Sequence, residues 1–339
     1  MPKMKYRVLG SSGLSVSELC LGTMMFGGPT EDAEAQRIAD HALEQGVNFI
    51  DTANQYTETR SEQVIGRLIK AKRDRWVLAT KVANPTGPGR NDRGLSRVHI
   101  MREIEASLKR LQTDTIDIYY IHKVDTNPSW EQIVATFGLL IQQGKIREWG
   151  LSNVRSWHIA HICHLSDQMG IPRPTALQPY YNLLNRQPEV DVLPAAQHFG
   201  LGVVPYSPIA RGVLSGKYAN NVTPSGDSRV ARKDKRMLET EWRPESIELA
   251  QRLKAHAETR GVTLVHWAVA WVLNNRAVAS TIAGPRTFEQ WTSYLGALDY
   301  LWTKDDEALA NASVTAGHAS TPNYNDPQYP IEGRFPIVS

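Results

Sequence analysis

Four side chains of complementary acid–base type stand at the ends of short apolar runs. Asp51 closes one run and Tyr56 follows five residues later; Lys81 directly follows a second run and His122 a third. Together they suit reduction of a carbonyl. A hydride delivered to the carbonyl carbon leaves negative charge on the oxygen, which an acid must neutralise as it develops. A phenol is a weak acid for this task, but a neighbouring lysine cation favours its ionised form and eases release of the proton. An aspartate beside that lysine keeps it charged and in place, and a histidine can donate a hydrogen bond that orients the substrate oxygen. Each residue also has a plainer reading. Asp51 and Thr52 can cap the next segment, Tyr56 can be a half-buried aromatic, Lys81 can be solvated and His122 structural. Their joint placement at strand ends favours the chemical reading.

Those ends belong to eight short, mostly apolar runs expected to be strands: Glu18–Gly22, Asn48–Asp51, Trp76–Thr80, Ile116–Ile121, Glu148–Ser152, Ala176–Gln178, Gly202–Pro205 and Ala279–Ile282. Such runs suit strands buried on both faces. Helical periodicity lies between them. Glu31–Gln45 carries apolar residues at Ala35, Ile38, Ala39, Ala42 and Leu43 and stops before Gly46, a natural C-terminal cap. Another helix is expected from Ser61, whose hydroxyl is read as its N-cap. Ser96–Leu111, Pro128–Gln143, Ser156–Gln168, Val190–Phe199 and Pro244–Leu273 continue the alternation.

Strand–helix alternation repeated about eight times implies a parallel sheet with helices outside it. A doubly wound sheet would carry a glycine-rich dinucleotide turn after its first strand, and none occurs there. The expected architecture is therefore a (β/α)8 TIM barrel, one domain over residues 1–339. Tyr6–Val16, turning at Gly10–Gly13, is expected to form a hairpin closing one end. Ser207–Arg243 is expected to be a long functional loop. The tail from about 317 to 339 is Pro-rich and read as irregular. In a barrel of this kind the active site lies where strands end and βα loops begin, which is where the four polar residues stand.

The bulk properties narrow the function. The 339 residues are 41% hydrophobic and 22% charged, as in ordinary globular proteins. A net charge of +3 is too small to imply a nucleic-acid partner. The basic stretch Arg229, Arg232, Lys233, Lys235 and Arg236 is read first as a solvated loop and second as an electrostatic partner for phosphate. Two distant cysteines, Cys20 and Cys163, do not make a disulfide framework and fit a reducing compartment. Neither a signal peptide nor a run approaching the ~20 apolar residues of a membrane span is apparent, so a cytoplasmic location without a membrane partner is expected. His158, His161, Cys163 and His164 lie within one predicted helix but are read as surface residues rather than metal ligands. No coiled coil or apolar stripe marks a partner surface, so the oligomeric state is left open.

The run GVNFIDTANQYTETRSEQVIG (Gly46–Gly66) closely resembles the signature of the aldo-keto reductases. In that signature a strand-ending Asp-Thr-Ala precedes the catalytic tyrosine and a Ser-Glu-x-x-x-Gly helix start. Matches continue at Thr80-Lys81, DIYYIH (Asp117–His122), GKIR (Gly144–Arg147), GLSN (Gly150–Asn153), QPYYN (Gln178–Asn182), PYSPIARGVLSGKY (Pro205–Tyr218) and GPRTFEQWTSYLGAL (Gly284–Leu298). The long SPIARGVLSGKY loop is more similar to the bacterial and potassium-channel-β branch than to aldose reductase.

The resemblance implies Asp51, Tyr56, Lys81 and His122 as a catalytic tetrad. It implies Gly22, Thr23 and Met24 at the ribose–nicotinamide end, with Ser152, Asn153 and Gln178 on the nicotinamide amide and Tyr206 stacked on its ring. Ser207, Pro208, Ile209, Ala210, Gly212, Leu214 and Lys217 would line the pyrophosphate. Gly284, Arg286 and Gln290 would hold the adenosine end, with Arg286 matching a 2′-phosphate and so favouring NADP over NAD. Where the family usually places Glu-Asn toward the adenine, this chain has Ser293-Tyr294, so Tyr294 is expected to stack instead. The substrate implied is an aldehyde or ketone, sugar-like carbonyls included, in a pocket drawing on Met25–Phe26, Tyr56–Thr57, Val82–Pro88, Val124–Thr126 and the tail. Its side chains would include Phe26, Tyr56, Asn84, Asp125, Tyr324 and Tyr329. The alternative is a nucleotide-sensing binding subunit of the channel-β type, with little turnover.

Overall fold

A computed structural model describes residues 4–220, 226 and 228–330. The chain opens with a hairpin, β1 (Tyr6–Val8) against β2 (Ser15–Ser17). Eight parallel strands follow: β3 (Leu19–Gly22), β4 (Phe49–Asp51), β5 (Val77–Val82), β6 (Ile116–Ile121), β7 (Ile146–Ser152), β8 (Ala176–Gln178), β9 (Gly202–Val203) and β10 (Thr281–Ala283). Their order in the sheet is β10-β3-β4-β5-β6-β7-β8-β9. The ring closes where Ala279 N–H donates to Val203 O (2.8 Å) and Ile282 N–H to Pro205 O (3.0 Å). This is the (β/α)8 barrel that the alternation implied, and all eight expected strands are present with ends shifted by up to two residues.

The helices are α1 (Asp32–Glu44), α2 (Arg60–Ile69), α3 (Arg97–Leu111), α4 (Trp130–Gln142), α5 (Ser156–Gln168), α6 (Val192–Phe199), α7 (Lys235–Thr240), α8 (Pro244–Thr259), α9 (Leu264–Leu273), α10 (Phe288–Gly296) and α11 (Lys304–Ser313). Their apolar stripes bury against the outward-facing strand residues, as Ile38, Ile65, Ile104 and Phe137 do around Ile50, Leu78, Tyr119 and Leu151. The residue expected to follow α1, Gly46, has φ +85°, a conformation that favours glycine.

Alternation along each strand decides what faces the barrel axis. Phe49, Ala79, Ile118, Tyr120 and Ala176 fill the interior together with Leu9 and Val16 from the hairpin. Because successive side chains point to opposite faces, Asp51 (two after Phe49), Lys81 (two after Ala79), His122 (two after Tyr120) and Gln178 (two after Ala176) point the same way, one layer higher. The hairpin seals the opposite end. Ser11 N–H donates to Gly200 O (2.9 Å), and Gly10, at φ +51°, lies so close to the Thr175 and Gly200 carbonyls that a Cβ would collide with them.

Several expectations need correction. Ser61 does not cap α2; Thr59 occupies that position at φ 72° without a side-chain cap bond. Ser61 is instead fully buried, its hydroxyl donating to Thr23 O (2.8 Å) and bonding Thr52 Oγ1 (2.8 Å), which ties the helix start to two strand ends. The single helix expected over Pro244–Leu273 is two, broken at Gly261 (φ +72°) and restarted by Thr263, whose side chain accepts from His266 N–H. The long loop contains α7, capped by Asp234 through Met237 N–H (3.0 Å). Helices α10 and α11 were not among those expected from periodicity; Thr287 caps the first, and a Thr303–Asp306 capping box starts the second. The tail is irregular up to Pro330, as expected, and its remaining residues lie outside the described ones.

Candidate active site

A cavity of about 850 Å³ opens at the C-terminal ends of the strands, and Asp51, Tyr56 and His122 line it. Lys81 lies fully buried beneath them. Its ammonium donates to Asp51 Oδ1 (2.5 Å), Thr52 O (2.6 Å) and the Tyr56 hydroxyl (3.3 Å). Asp51 Oδ2 accepts from Gln178 Nε2 (2.9 Å), which reaches from the far side of the barrel. Tyr56 is followed by three non-glycine residues in the left-handed region: Thr57, Glu58 and Thr59, with φ 48°, 56° and 72°. Such backbone costs roughly 1–3 kcal/mol per residue and tends to mark functional turns. Thr57 Oγ1 donates to Phe26 O (2.8 Å), holding the turn against the loop after β3. The Tyr56 and His122 rings meet edge to face, 5.8 Å between centroids.

The electrostatics assign protonation states. Burial would pull the Lys81 ammonium down, but Asp51 and Tyr56 outweigh it, so the amine is held above its ordinary value and stays charged. Burial pushes the Tyr56 phenol up, and the opposing pull of Lys81 only partly offsets this. Lysine alone would favour the phenolate; the dry surroundings win, and Tyr56 keeps its proton at neutral pH. His122 is driven well below the ordinary histidine value by burial first, then by the Lys81 and Lys123 cations, which makes it a neutral imidazole. The site thus holds a protonated phenol beside a fixed cation, with a neutral histidine at its edge.

Most other expected residues line the same cavity. Gly22, Thr23, Met24, Ser152, Asn153, Gln178 and Tyr206 surround the Asp51–Tyr56 end. Tyr206 donates to Asn153 Oδ1 (2.8 Å), and Asn153 Nδ2 donates to His122 O (2.9 Å), binding the ends of β6 and β7 to the start of the long loop. Ser207, Pro208, Ile209, Gly212, Lys217, Gly284, Arg286, Gln290 and Tyr294 line the remainder, and Gln290 Oε1 accepts from Arg286 N–H (2.8 Å). Ala210 and Leu214 are buried under the loop and do not line the cavity; their N–H groups donate to Ser207 O (2.9 Å) and Ile209 O (3.1 Å) within the turn. Of the residues expected in a substrate pocket, Met25, Tyr56, Asn84 and Tyr329 line it. Phe26 is core, Asp125 Oδ2 accepts from Leu95 N–H (2.7 Å), and Tyr324 lies under Arg243 with 3.9 Å between guanidinium and ring.

The basic stretch is not simply a solvated loop. Arg229, Arg232 and Arg236 line the cavity together with Arg211, while Asp234 and Asp326 hold Arg229 and Arg236 in place at 2.8 Å and 2.5 Å. Burial, then the nearby Arg229, Arg286 and Arg232, pulls Lys217 below its ordinary value. Among the described residues, six cations thus line the cavity from the long loop and the segment before α10, whereas the lining carboxylates are Asp51, committed to Lys81, and Glu289. Such a surplus suits a ligand carrying several negative charges. Arg211 was missed as a contact because nothing about it stands out in sequence; it enters only through the fold of the loop, where it sits at φ 49°. Gln328 joins from the tail in the same way.

The His158–His164 cluster serves packing and capping. His158 is buried, accepts from Arg155 N–H (3.1 Å) and stacks on Trp157; Cys163 is buried too, so these two are not the surface residues expected. Among the described residues no group of three or more His, Cys, Asp or Glu side chains is placed to hold a metal ion, and no helix is long and apolar enough to cross a membrane.

Comparison with known proteins places this geometry in a family context. Residues 18–313 match the Aldo/keto reductase family. The chain is 36% identical to "Uncharacterized oxidoreductase YrpG" of Bacillus subtilis (strain 168), over 94% of this chain and 98% of that protein. It is 35% and 34% identical to proteins named "Probable voltage-gated potassium channel subunit beta" from Arabidopsis thaliana and Oryza sativa subsp. japonica. Each of those matches covers 88% of this chain and 92% of the relative.

Proposed function

The chain belongs to the aldo/keto reductase family of oxidoreductases, and from that premise we propose that it reduces a small aldehyde or ketone to the alcohol with NADPH. The observation that carries the reading is the protonated Tyr56 hydroxyl, 3.3 Å from a buried lysine ammonium, opening into a cavity whose other walls are rich in cations. The residues present fit the cofactor. Asn153 and Gln178 offer amide groups beside the tyrosine; Lys217, Arg229 and Arg232 suit a pyrophosphate, and Arg286 with Gln290 suits a 2′-phosphate. Tyr294, 6% exposed on the cavity wall, suits stacking on adenine.

The chemistry that bound NADPH supplies is a hydride for the carbonyl carbon. The protein's part is to hold and release a proton. As negative charge develops on the substrate oxygen, the Tyr56 O–H bond breaks toward it, and the Lys81 ammonium stabilises the phenolate left behind. Asp51 keeps Lys81 charged and aimed, which a lone buried ammonium could not sustain. Neutral His122 donates a hydrogen bond to the same oxygen without competing as an acid. Solvent then returns a proton to Tyr56. The polar wall residues Gln55, Asn84 and Gln328 favour a hydroxylated substrate.

Fluorescence titration with NADPH and NADH, followed by turnover of a panel of small carbonyls, tests the proposal. Tighter NADPH binding with turnover supports it, and binding of neither nucleotide overturns it. Likeness to the two proteins named as probable channel β subunits supports a second reading, a nucleotide-sensing subunit. Tight NADPH binding without turnover of any carbonyl, together with co-purification of a membrane partner, would favour it.

A further inference from the structure

Strand β5 ends in an unusual backbone. Ala83, the first residue beyond Val82, is fully buried at φ 135°, a region that side chains other than glycine rarely enter. Its carbonyl is clamped by Gly94 N–H at 2.7 Å. The consequence of this bend is the placement of the next residue. The register of β5 and β6 pairs Val82 with Ile121, and His122 N–H donates to Val82 O (2.9 Å), so His122 stands beside the bend. Asn84 turns into the cavity there and meets the imidazole, with its Nδ2 3.0 Å from His122 Nδ1.

We propose that Asn84 is a positioning residue that fixes the tautomer of His122, its amide N–H occupying Nδ1 so that the single ring proton resides on Nε2. A neutral imidazole has one N–H and one lone pair. In this orientation the Asn84 amide sets its nitrogen, which only donates, against His122 Nδ1, so Nδ1 accepts and Nε2 is the ring atom left to donate to a substrate oxygen. Without this contact the two tautomers compete, and molecules with the proton on Nδ1 present a lone pair to the carbonyl oxygen and repel it. The charged and titratable groups facing His122 are Lys81 from β5, Lys123 from its own loop and Tyr56 from the turn after β4; none of them bonds Nδ1.

This inference rests on the reductase reading for its consequence but not for its first test. Two-bond 1H–15N correlation spectra of the full chain labelled with 15N-histidine, without nucleotide, report each tautomer, and His122→Gln identifies the His122 signals among the ten histidines. The wild type is expected to carry its proton on Nε2. Asn84→Asp, which can only accept, moves it to Nδ1 or creates the imidazolium. Asn84→Ala, a safer variant for folding, gives a mixture. In turnover, Asn84→Asp loses about 10²–10³-fold in kcat, the scale of removing one donor to a developing oxyanion, while NADPH affinity stays within twofold. Wild-type His122 protonated on Nδ1, or an Nε2–H signal unchanged in both variants, overturns the proposal. The expected tautomer changes in a protein that reduces no carbonyl would uphold the role of Asn84 and sink the reductase reading instead.

Discussion

Replacing Lys81 by methionine separates what the buried ion pair does for stability from what it does for chemistry. Lys81 and Asp51 are 0% and 3% exposed in their side chains. Lys81→Met therefore leaves Asp51 buried with the Gln178 amide, at 2.9 Å, as its side-chain donor. Removing one partner of a buried pair costs about 3–5 kcal/mol. At ~2.1 cal/mol/K per residue, unfolding 339 residues carries an entropy of about 0.7 kcal/mol/K, so Tm should fall by about 4–7 °C. Asp51→Asn should cost a similar amount, since it strands the ammonium. The double variant Lys81→Met/Asp51→Asn buries no net charge, and its loss should fall short of the sum by at least ~2 kcal/mol, as expected for a coupled pair. Turnover behaves differently. Tyr56 needs the cation itself, so the double variant recovers part of the summed Tm loss without recovering any reductase activity. Differential scanning calorimetry of the four proteins without nucleotide, alongside carbonyl reduction, provides both readouts. Strictly additive Tm losses, or a double variant that recovers turnover, would refute this account of the pair.

Other perturbations follow from the same geometry. Arg286→Ala should weaken NADPH binding about 10- to 100-fold and NADH binding far less, because a hydrogen bond to a charged group contributes ~1.5–3 kcal/mol; equal losses for both nucleotides in a fluorescence titration would remove Arg286 from the 2′-phosphate. Burial, then Arg155 and His161, lowers His158 to about 4. The unfolded chain therefore takes up that proton first, near the ordinary pKa of ~6.5, and protonation favours unfolding. Stability from this residue is complete above pH ~6.5 and is lost as pH falls toward 4, by at most about 2 kcal/mol between pH 7 and 5. Urea unfolding at both values should show that loss diminished in His158→Gln, and an identical pH dependence in the variant would count against it.

The fold was legible because buried parallel strands are nearly continuous apolar runs, and eight of them alternate with amphipathic stretches. The parity of those strands also explains why Asp51, Lys81, His122 and Gln178 converge: each stands two residues beyond an interior side chain. What local pattern could not convey was tertiary. Ser61 looks like a helix cap but is drawn inside by Thr23 and Thr52. Arg229 and Arg236 look like members of a solvated basic run, yet Asp234 and the distant Asp326 fold them onto the cavity. The break at Gly261 within an otherwise continuous helical period, and the Thr303–Asp306 box before α11, were local signals overlooked beside stronger periodicity. Ala210 and Leu214 belong to a motif that lines the cavity, but the motif does not reveal which of its side chains turn inward.

The central claim is that Tyr56 donates the proton during NADPH-dependent carbonyl reduction. Its most direct test is a single-turnover experiment in which enzyme with bound NADPH is mixed with an aldehyde that the wild type reduces, and nicotinamide absorbance is followed. Tyr56→Phe removes the acidic O–H and leaves the aromatic ring and the cavity wall in place. The account predicts NADPH affinity within about twofold of wild type and a reduction rate lower by at least ~10²-fold, the scale of a lost general acid. Reduction at the wild-type rate in Tyr56→Phe would contradict it.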